Sequence, residues 1–308
     1  MTADPGSDPG RVLVSGANGH LGRRLLRRLP RARALVRSER AAAAIRADGL
    51  ACEVSIADYG DGEGLLRATA GCTRLVHLVG ILKEGPTTRY EEAHEGVSEA
   101  LANAAAKSGI ERIVYLSILG ADPGSPNACL RSKGRAEEIL LRGPVPATVL
   151  RVPMVLGPGE LACAALRRQA GARLLPLVRG GAALEQPIVA EDVVRAILAA
   201  LERPSLAGRS IELAGPESLS HRALVMRCAA TLGTSPPRIV PLPLSAVRLA
   251  AGLLERLLPS PPITRPMLEV LEHDDCVDAR AAAAELGIEL TPLDTTLRRC
   301  LAGAAEAA

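Results

Sequence analysis

A glycine-rich turn near the start of the chain constrains the fold more than any other feature. The segment VLVSGANGHLG, residues 12–22, places three glycines after a short apolar run. This spacing permits a tight turn, close approach of a ligand to the backbone, and close packing of a helix on a strand. The free N–H groups of the following helix suit a diphosphate, although a turn without a ligand is the alternative. The candidate diphosphate-binding residues are Gly16, Asn18, Gly19, His20, Leu21 and Gly22.

Short apolar runs alternate with helix-like stretches through the first half of the chain. Strands are predicted at Arg11–Ser15, Ala34–Arg37, Ala51–Ser55, Leu75–Val79, Arg112–Ser117 and Ala147–Arg151. Helices are predicted at Leu21–Leu29, Ala41–Ala47, Glu63–Thr69, Glu91–Lys107 and Lys133–Leu141. Because crossover helices between strands produce parallel sheets, we predict an α/β fold with a doubly wound sheet of the Rossmann type and a smaller C-terminal lobe.

The second half of the chain is less regular and suggests a division into two parts. A helix is predicted at Asp192–Leu201 and a strand at Ser210–Leu213, with proline-rich stretches beyond them. The simplest division gives a nucleotide-binding domain over residues 1–157, to which residues 186–215 return. The smaller lobe then consists of residues 158–185 and 216–308.

Composition excludes several classes of function. The formal net charge is only +3 and aromatic residues make up 1% of the chain, so nucleic-acid binding is not expected. The 7 cysteines include no Cys-x-x-Cys pair, so we expect neither a disulfide framework nor a metal cluster, and we predict a cytoplasmic protein. The sequence His273-Asp274-Asp275 is interpreted as a turn or helix end rather than a metal site.

One apolar stretch, Leu244–Leu258, is a candidate for membrane contact. It is shorter than the roughly 20 residues that a transmembrane helix requires, and charged residues interrupt it. The N-terminal residues also lack the apolar run of a signal peptide or anchor. We therefore predict that the stretch is an amphipathic core helix, with a helix on a membrane surface as the alternative.

A basic residue follows the second predicted strand, where a dinucleotide fold reads the adenosine ribose. An acid about 20 residues beyond the first glycine binds the 2′-hydroxyl of NAD, but this sequence has Arg37 followed by Ser38. A guanidinium binds a 2′-phosphate, so the sequence favours NADP(H), with NAD(H) still open. The alternative is one more solvated arginine in an arginine-rich region.

Two further segments lie where such a fold contacts its cofactor. Asp58 and Tyr59, after the third strand, are candidates for adenine contacts, although Asp58 is equally suited to capping the next helix. Val79 and Gly80 end the fourth strand, at the edge where ligands bind in open parallel sheets. His77 in the same strand is interpreted as a core residue.

Together these motifs resemble a known family. With the segments YLSILGA (residues 115–121), RSK (131–133) and LRVPMVLGPG (150–159), they are similar to extended short-chain dehydrogenases/reductases of the NAD-dependent epimerase/dehydratase type. The similarity is greatest to the atypical branch that contains the nucleotide-binding accessory subunit of respiratory complex I. The resemblance implies a Rossmann-type domain that binds NAD(P), and a C-terminal lobe over a substrate cleft.

The resemblance also implies a Tyr-x-x-x-Lys pair, which this sequence lacks. The matching pentapeptide is CLRSK, so Lys133 is present for the nicotinamide ribose and Cys129 replaces the tyrosine. A nearby ammonium lowers the pKa of a thiol, so Cys129 is a candidate acid/base, with a small apolar filler as the alternative. Ser117 is a candidate donor to a substrate carbonyl, or it only ends its strand.

Two functions therefore remain open. One is a non-catalytic or regulatory protein that binds NADP(H), and the other is an oxidoreductase or epimerase that acts on a small carbonyl compound or quinone. The sequence does not identify such a small-molecule substrate. By analogy with the family, the helices near residues 91–107 and 128–141 are candidates for pairing two copies of the chain.

Overall fold

A computed structural model of the chain describes residues 10–258 and 260–302. Its strands are β1 (Arg11–Ser15), β2 (Ala32–Val36), β3 (Glu53–Ile56), β4 (Cys72–His77), β5 (Arg112–Ile118), β6 (Ala147–Val152), β7 (Val155–Leu156), β8 (Leu174–Val178), β9 (Leu184–Glu185), β10 (Ile188–Val189), β11 (Ser210–Glu212), β12 (Leu219–Ser220) and β13 (Arg238–Leu242).

The helices follow the same order along the chain. They are α1 (His20–Leu26), α2 (Glu39–Ala47), α3 (Gly62–Thr69), α4 (Val97–Ala106), α5 (Ala128–Arg142), α6 (Leu161–Ala170), α7 (Ala190–Glu202), α8 (His221–Leu232), α9 (Leu244–Leu257), α10 (Arg265–Leu271), α11 (Ala279–Leu286) and α12 (Leu293–Ala302). A π-helical segment, Glu91–Gly96, leads directly into α4, and a 3₁₀ turn covers Pro204–Leu206.

Within the described residues, seven strands form a central sheet in the order β11-β6-β5-β4-β1-β2-β3. Every neighbouring pair in this sheet is parallel. The strand order reverses between β1 and β4, and ligands of such sheets bind beside that reversal, at the carboxyl ends of the strands. The predicted doubly wound α/β fold is confirmed.

Apolar side chains cover both faces of this sheet. Along β1, Val12 and Val14 join the layer that contains α1, α2, α7 and α11, whereas Leu13 joins the layer of α3, α4 and α5. Side chains of a strand point alternately to the two faces, so a strand buried on both faces must be apolar throughout. This is why the apolar runs of the sequence located the strands to within a few residues.

The structure also corrects the expectation that the chain forms no disulfide. Cys163 of α6 and Cys300 of α12 are bonded to each other, although 137 residues separate them. The two helices share an apolar cluster that includes Leu166 and Leu297, and this packing brings the sulfur atoms together. Spacing along the chain carries no signal of such a contact. The cytoplasmic location stays a prediction.

Helix α9 was predicted as a core helix, and this prediction is wrong. Of its side chains only Ala251 is buried, and Leu249, Leu253 and Leu257 are exposed. The helix contacts its neighbours through a narrow side, so these three leucines remain exposed. No described helix has both the length and the apolar character needed to cross a bilayer.

A buried carboxylate ties α7 to the segment before α12. Asp192 accepts hydrogen bonds from the Thr291 backbone N–H at 2.6 Å, from the Thr291 hydroxyl at 2.8 Å and from the Arg195 guanidinium at 2.6 Å. These three bonds satisfy a charge that would otherwise be costly in the protein interior.

We expect Asp192→Ala to lower the free energy of unfolding by about 2 kcal/mol, because Thr291 loses its acceptors in a part-buried site. The matched control is Glu63→Ala, which also removes a first-turn acid paired with an arginine of its own helix, but on the surface. That change should stay within about 0.5 kcal/mol. Denaturant unfolding followed by circular dichroism measures both, and equal effects would contradict the structural role of Asp192.

Candidate functional site

The glycine turn connects β1 to α1 and has no room for side chains at two positions. Gly16 has a φ of 71°, and a β-carbon there would lie 3.0 Å from the backbone carbon of Leu78. A β-carbon on Gly22 would lie 2.6 Å from the Gly16 carbonyl oxygen. The Gly19 N–H donates to that same oxygen at 3.1 Å, which closes the turn.

The open side of this turn carries the other predicted diphosphate contacts. Asn18, Gly19 and His20 are exposed, and Leu21 is half-buried at the start of α1. The loop after β7 passes close by, since a β-carbon on Gly159 would lie 3.3 Å from His20 Nδ1. The turn is therefore a cradle of backbone at the carboxyl end of β1, and its shape fits a diphosphate.

The residues proposed for the 2′-phosphate lie directly after β2. Arg37 and Ser38 are both exposed, and Arg37 has no carboxylate partner among residues 10–258 and 260–302. The Ser38 hydroxyl oxygen accepts the Ala41 N–H at 3.3 Å and so caps α2, which leaves its own O–H to donate elsewhere. Arg37 follows the strand rather than closing it, since β2 ends at Val36.

The candidate adenine contacts have separate roles. Burial raises the pKa of Tyr59 to about 12, while a hydrogen bond to the Gly16 backbone and the charge of Arg37 act in the opposite direction. Tyr59 is half-buried just after β3. Asp58 accepts the Gly60 N–H at 2.9 Å and does not cap α3, because Asp61 is the cap. The capping alternative for Asp58 was wrong.

A second group of polar residues lies at the carboxyl ends of β4 and β5. Lys133 of α5 is buried, and its amine donates to the Tyr115 hydroxyl at 3.0 Å and to the Leu116 carbonyl at 3.1 Å. A β-carbon on Gly80 would lie 2.8 Å from Lys133 Nζ. Gly80 therefore lets the lysine reach the edge of the sheet, and a solvated helix lysine is ruled out.

The segment after β4 joins this group to the glycine turn. Val79 is half-buried, and its backbone nitrogen would lie 3.2 Å from a β-carbon on Gly16. One residue further, Gly80 faces Lys133. The turn and the lysine thus border one continuous edge of the sheet.

Burial determines the charge of the groups around Lys133. It lowers the pKa of Lys133 to about 8, so the ammonium form still predominates at neutral pH. It lowers the pKa of His94 to about 3, with the charge of Lys133 acting in the same direction. His77 is also held neutral, mainly by burial, and its ring bonds the hydroxyls of Ser15 at 2.9 Å and Ser98 at 3.2 Å. The core interpretation of His77 agrees with these contacts.

Cys129 does not have the environment of a reactive thiol. Its sulfur lies 3.8 Å from the Ile81 carbonyl oxygen, within hydrogen-bond reach. Burial raises the pKa of Cys129 to about 11, and the opposing charge of Lys133 is too weak to reverse this shift. The lysine acts on the thiol pKa in the expected downward direction, but desolvation has the larger effect and the net shift is upward.

Two tyrosines approach this group although neither precedes a lysine at the family's spacing. Tyr115 reaches Lys133 from β5, and burial raises the pKa of its phenol. Tyr90 donates its hydroxyl to the Leu82 carbonyl at 2.8 Å and lies near Cys129. The spacing of residues within α5 does not predict either contact, because these two phenols come from other elements of the fold.

Ser117 is buried, and its hydroxyl has no hydrogen-bond partner within the described part of the chain. Unpaired buried hydroxyls are uncommon, so this one is an unused hydrogen-bonding group at the end of β5. His273-Asp274-Asp275 instead has a structural role. The Asp274 carboxylate accepts the Leu184 N–H at 2.8 Å, and the Asp275 N–H donates to the Leu184 carbonyl at 2.9 Å.

Comparisons with known proteins agree with this geometry. The chain is 28% identical over 222 residues to NADH dehydrogenase (ubiquinone) 1 alpha subcomplex subunit 9, mitochondrial, of Arabidopsis thaliana, covering 70% of this chain and 54% of that protein. The chain thus spans about half the length of that relative. It is 29% identical to the (4-alkanoyl-5-oxo-2,5-dihydrofuran-3-yl)methyl phosphate reductase of Streptomyces griseus, covering 91% of this chain and 92% of that one.

Solved structures with a similar fold are also known. A UDP-glucuronic acid 4-epimerase from Bacillus cereus, in complex with UDP-glucuronic acid and NAD, superimposes with a TM-score of 0.73 at 17% identity and covers 97% of this chain and 100% of its own. The resemblance predicted from the sequence is confirmed. The sequence model described as NAD(P)H-binding matches residues 16–204, and the chain therefore belongs to the NAD(P)H-binding family.

Proposed function

We propose that this protein binds NADP(H) along the carboxyl edge of its sheet and acts chiefly as a dinucleotide-binding protein. The observation that carries the proposal is the contrast between Lys133 and Cys129, which lie four residues apart near the start of α5. Lys133 is buried and charged beside Gly80, whereas Cys129, in the place of the family's tyrosine, is a buried neutral thiol. The ribose-binding half of the pair is retained and the acid/base half is replaced.

Each part of the cofactor has a suitable group in this chain. The glycine turn offers backbone N–H groups to the diphosphate, and Arg37 with Ser38 offers donors to a 2′-phosphate. Lys133 uses two of its N–H groups on Tyr115 and Leu116, and the third is free to donate to a ribose hydroxyl. When bound, the dinucleotide supplies or accepts a hydride.

An oxidoreductase is the second candidate. The unpaired Ser117 hydroxyl favours it, because a carbonyl oxygen of a substrate would satisfy that donor. The name of the Streptomyces griseus relative also describes a reductase. The acid would then be Cys129, or a water held near Ser117.

The broader organisation is part of the same proposal. Residues 1–157 and 186–215 would bind the dinucleotide, and residues 158–185 and 216–308 would form the smaller lobe over the cleft. Two copies would pair through the helices near residues 91–107 and 128–141, in the cytoplasm. Light scattering of the purified chain tests the pairing.

The first test concerns the choice of cofactor. NADPH should bind more tightly than NADH, and Arg37→Ala should weaken NADPH binding roughly 10- to 100-fold, because a charge-assisted hydrogen bond to the 2′-phosphate is lost. Titration calorimetry measures both. Arg40→Ala is the matched control, since Arg40 is an equally exposed arginine three residues along. Tighter binding of NADH, or no effect at Arg37, would refute the 2′-phosphate assignment.

The second test uses the pKa of Lys133. Its amine is charged below pH about 8 and loses the charge as the pH rises through that value, so NADPH affinity should be constant near neutral pH and fall above pH about 8. Tyr115→Phe removes an oxygen that accepts from the ammonium and should move the fall to lower pH. Lys133→Met should bind weakly at every pH, whereas Lys107→Met, an exposed lysine, should behave as wild type. Lys133→Met protein that binds NADPH as tightly as the wild type would exclude Lys133 from the cofactor site.

The third test distinguishes the two candidate functions. We expect no substrate-dependent oxidation of NADPH by the wild type with aldehydes, ketones or quinones, because burial raises the pKa of Cys129 to about 11 and makes its thiol a weak proton donor to a substrate oxygen. Cys129→Tyr restores the family's pair and should introduce slow turnover, since a general acid contributes about 10²- to 10⁴-fold. Wild-type turnover that disappears in Cys129→Ser would favour the enzyme.

A further inference from the structure

The exposed side of α9 is a stripe of leucines. Leu249, Leu253 and Leu257 are 77%, 56% and 68% exposed, and they follow one another at every fourth position. At 3.6 residues per turn, the three side chains lie within about 80° of arc on one face of the helix. The exposed Ala246 and Ala250 lie on the same face. We call these five residues the α9 stripe.

The charges around the α9 stripe are basic. Arg256 borders one side of it and has no ion-pair partner within residues 10–258 and 260–302, whereas Arg248 lies nearer the buried side of the helix. Arg248 lies 3.7 Å from Glu269, a loose pair on the surface. The only acid of the helix, Glu255, accepts the Nε–H of Arg265 at 2.9 Å, so its charge is neutralised. The stripe therefore adjoins the positive charge of Arg256, which no described carboxylate offsets.

We propose that the α9 stripe is a docking surface for an anionic membrane, with the leucines in the boundary between headgroups and acyl chains. An apolar face bordered by arginines is typical of helices that lie in the plane of a bilayer. A protein interface needs about 800 Å² of complementary surface on each partner, whereas this stripe is one helix wide. A bilayer requires no complementary shape.

The remaining contacts of this region hold α9 in place without using the stripe. Lys83, after β4, donates to the Pro261 carbonyl at 2.9 Å, and Asn127, the cap of α5, donates to Glu269 of α10 at 3.0 Å. The buried side of α9, at Ala251, faces this assembly. Membrane contact thus requires no rearrangement of these contacts.

Co-sedimentation with vesicles tests the proposal. The wild-type chain should bind vesicles of phosphatidylcholine with about 30 mol% phosphatidylglycerol, and bind pure phosphatidylcholine less well. The triple variant Leu249→Gln/Leu253→Gln/Leu257→Gln should lower the partition coefficient at least about tenfold. Arg256→Gln should lower it about fivefold, on anionic vesicles only. The matched control is Leu161→Gln, since Leu161 is 82% exposed on another helix and should not matter.

Several outcomes would overturn the proposal. Wild-type protein that stays in solution with both kinds of vesicle does so, as does a triple variant that binds like the wild type. A wild-type dimer that the triple variant converts to a monomer, seen by light scattering, would show that a second copy covers the stripe. Thermal melting and NADPH titration of every variant separate a folding defect, or a failure of the proposed cofactor site, from a loss of membrane contact.

Discussion

The close approach of the glycine turn to the segment after β4 is the contact on which the site depends. Gly16 packs against the backbone of Leu78, and its positive φ turns the chain from β1 into α1. Two residues beyond Leu78, Gly80 leaves the space that Lys133 Nζ fills. A side chain at Gly16 would push the two strand ends apart, so the glycine turn and Lys133 would no longer share one edge.

Much of the fold could be predicted from the sequence because its signals are local. The predicted bounds of β1, Arg11–Ser15, are those of the structure, because one short segment contains both the apolar strand and the glycines that end it. The α9 leucines show the limit of such signals. Their spacing indicates an amphipathic helix, but it does not say whether the apolar face is covered, and here Ala251 rather than the leucines is buried.

The candidate site was only partly predictable for a related reason. Gly80 and Lys133 were found from the motifs that carry them, and the structure brings them together. The contact between Tyr115 and Lys133 is not predictable from a local pattern, because it joins β5 to α5 through tertiary packing. The disulfide between Cys163 and Cys300 has the same origin in tertiary packing.

Burial shifts the pKa values of Lys133 and Cys129 in opposite directions. It lowers the pKa of Lys133 to about 8 and raises the pKa of Cys129 to about 11, since desolvation disfavours a cation and an anion alike. At neutral pH the lysine still carries its charge, because its altered pKa lies above 7, while the thiol holds its proton firmly. A phenol at position 129 would meet the same desolvation but could pair with the ammonium through a stronger hydrogen bond. On the proposed assignment, the replacement by cysteine weakens proton transfer and leaves the charge of Lys133 for the ribose, which favours the proposed dinucleotide-binding function over the catalytic one.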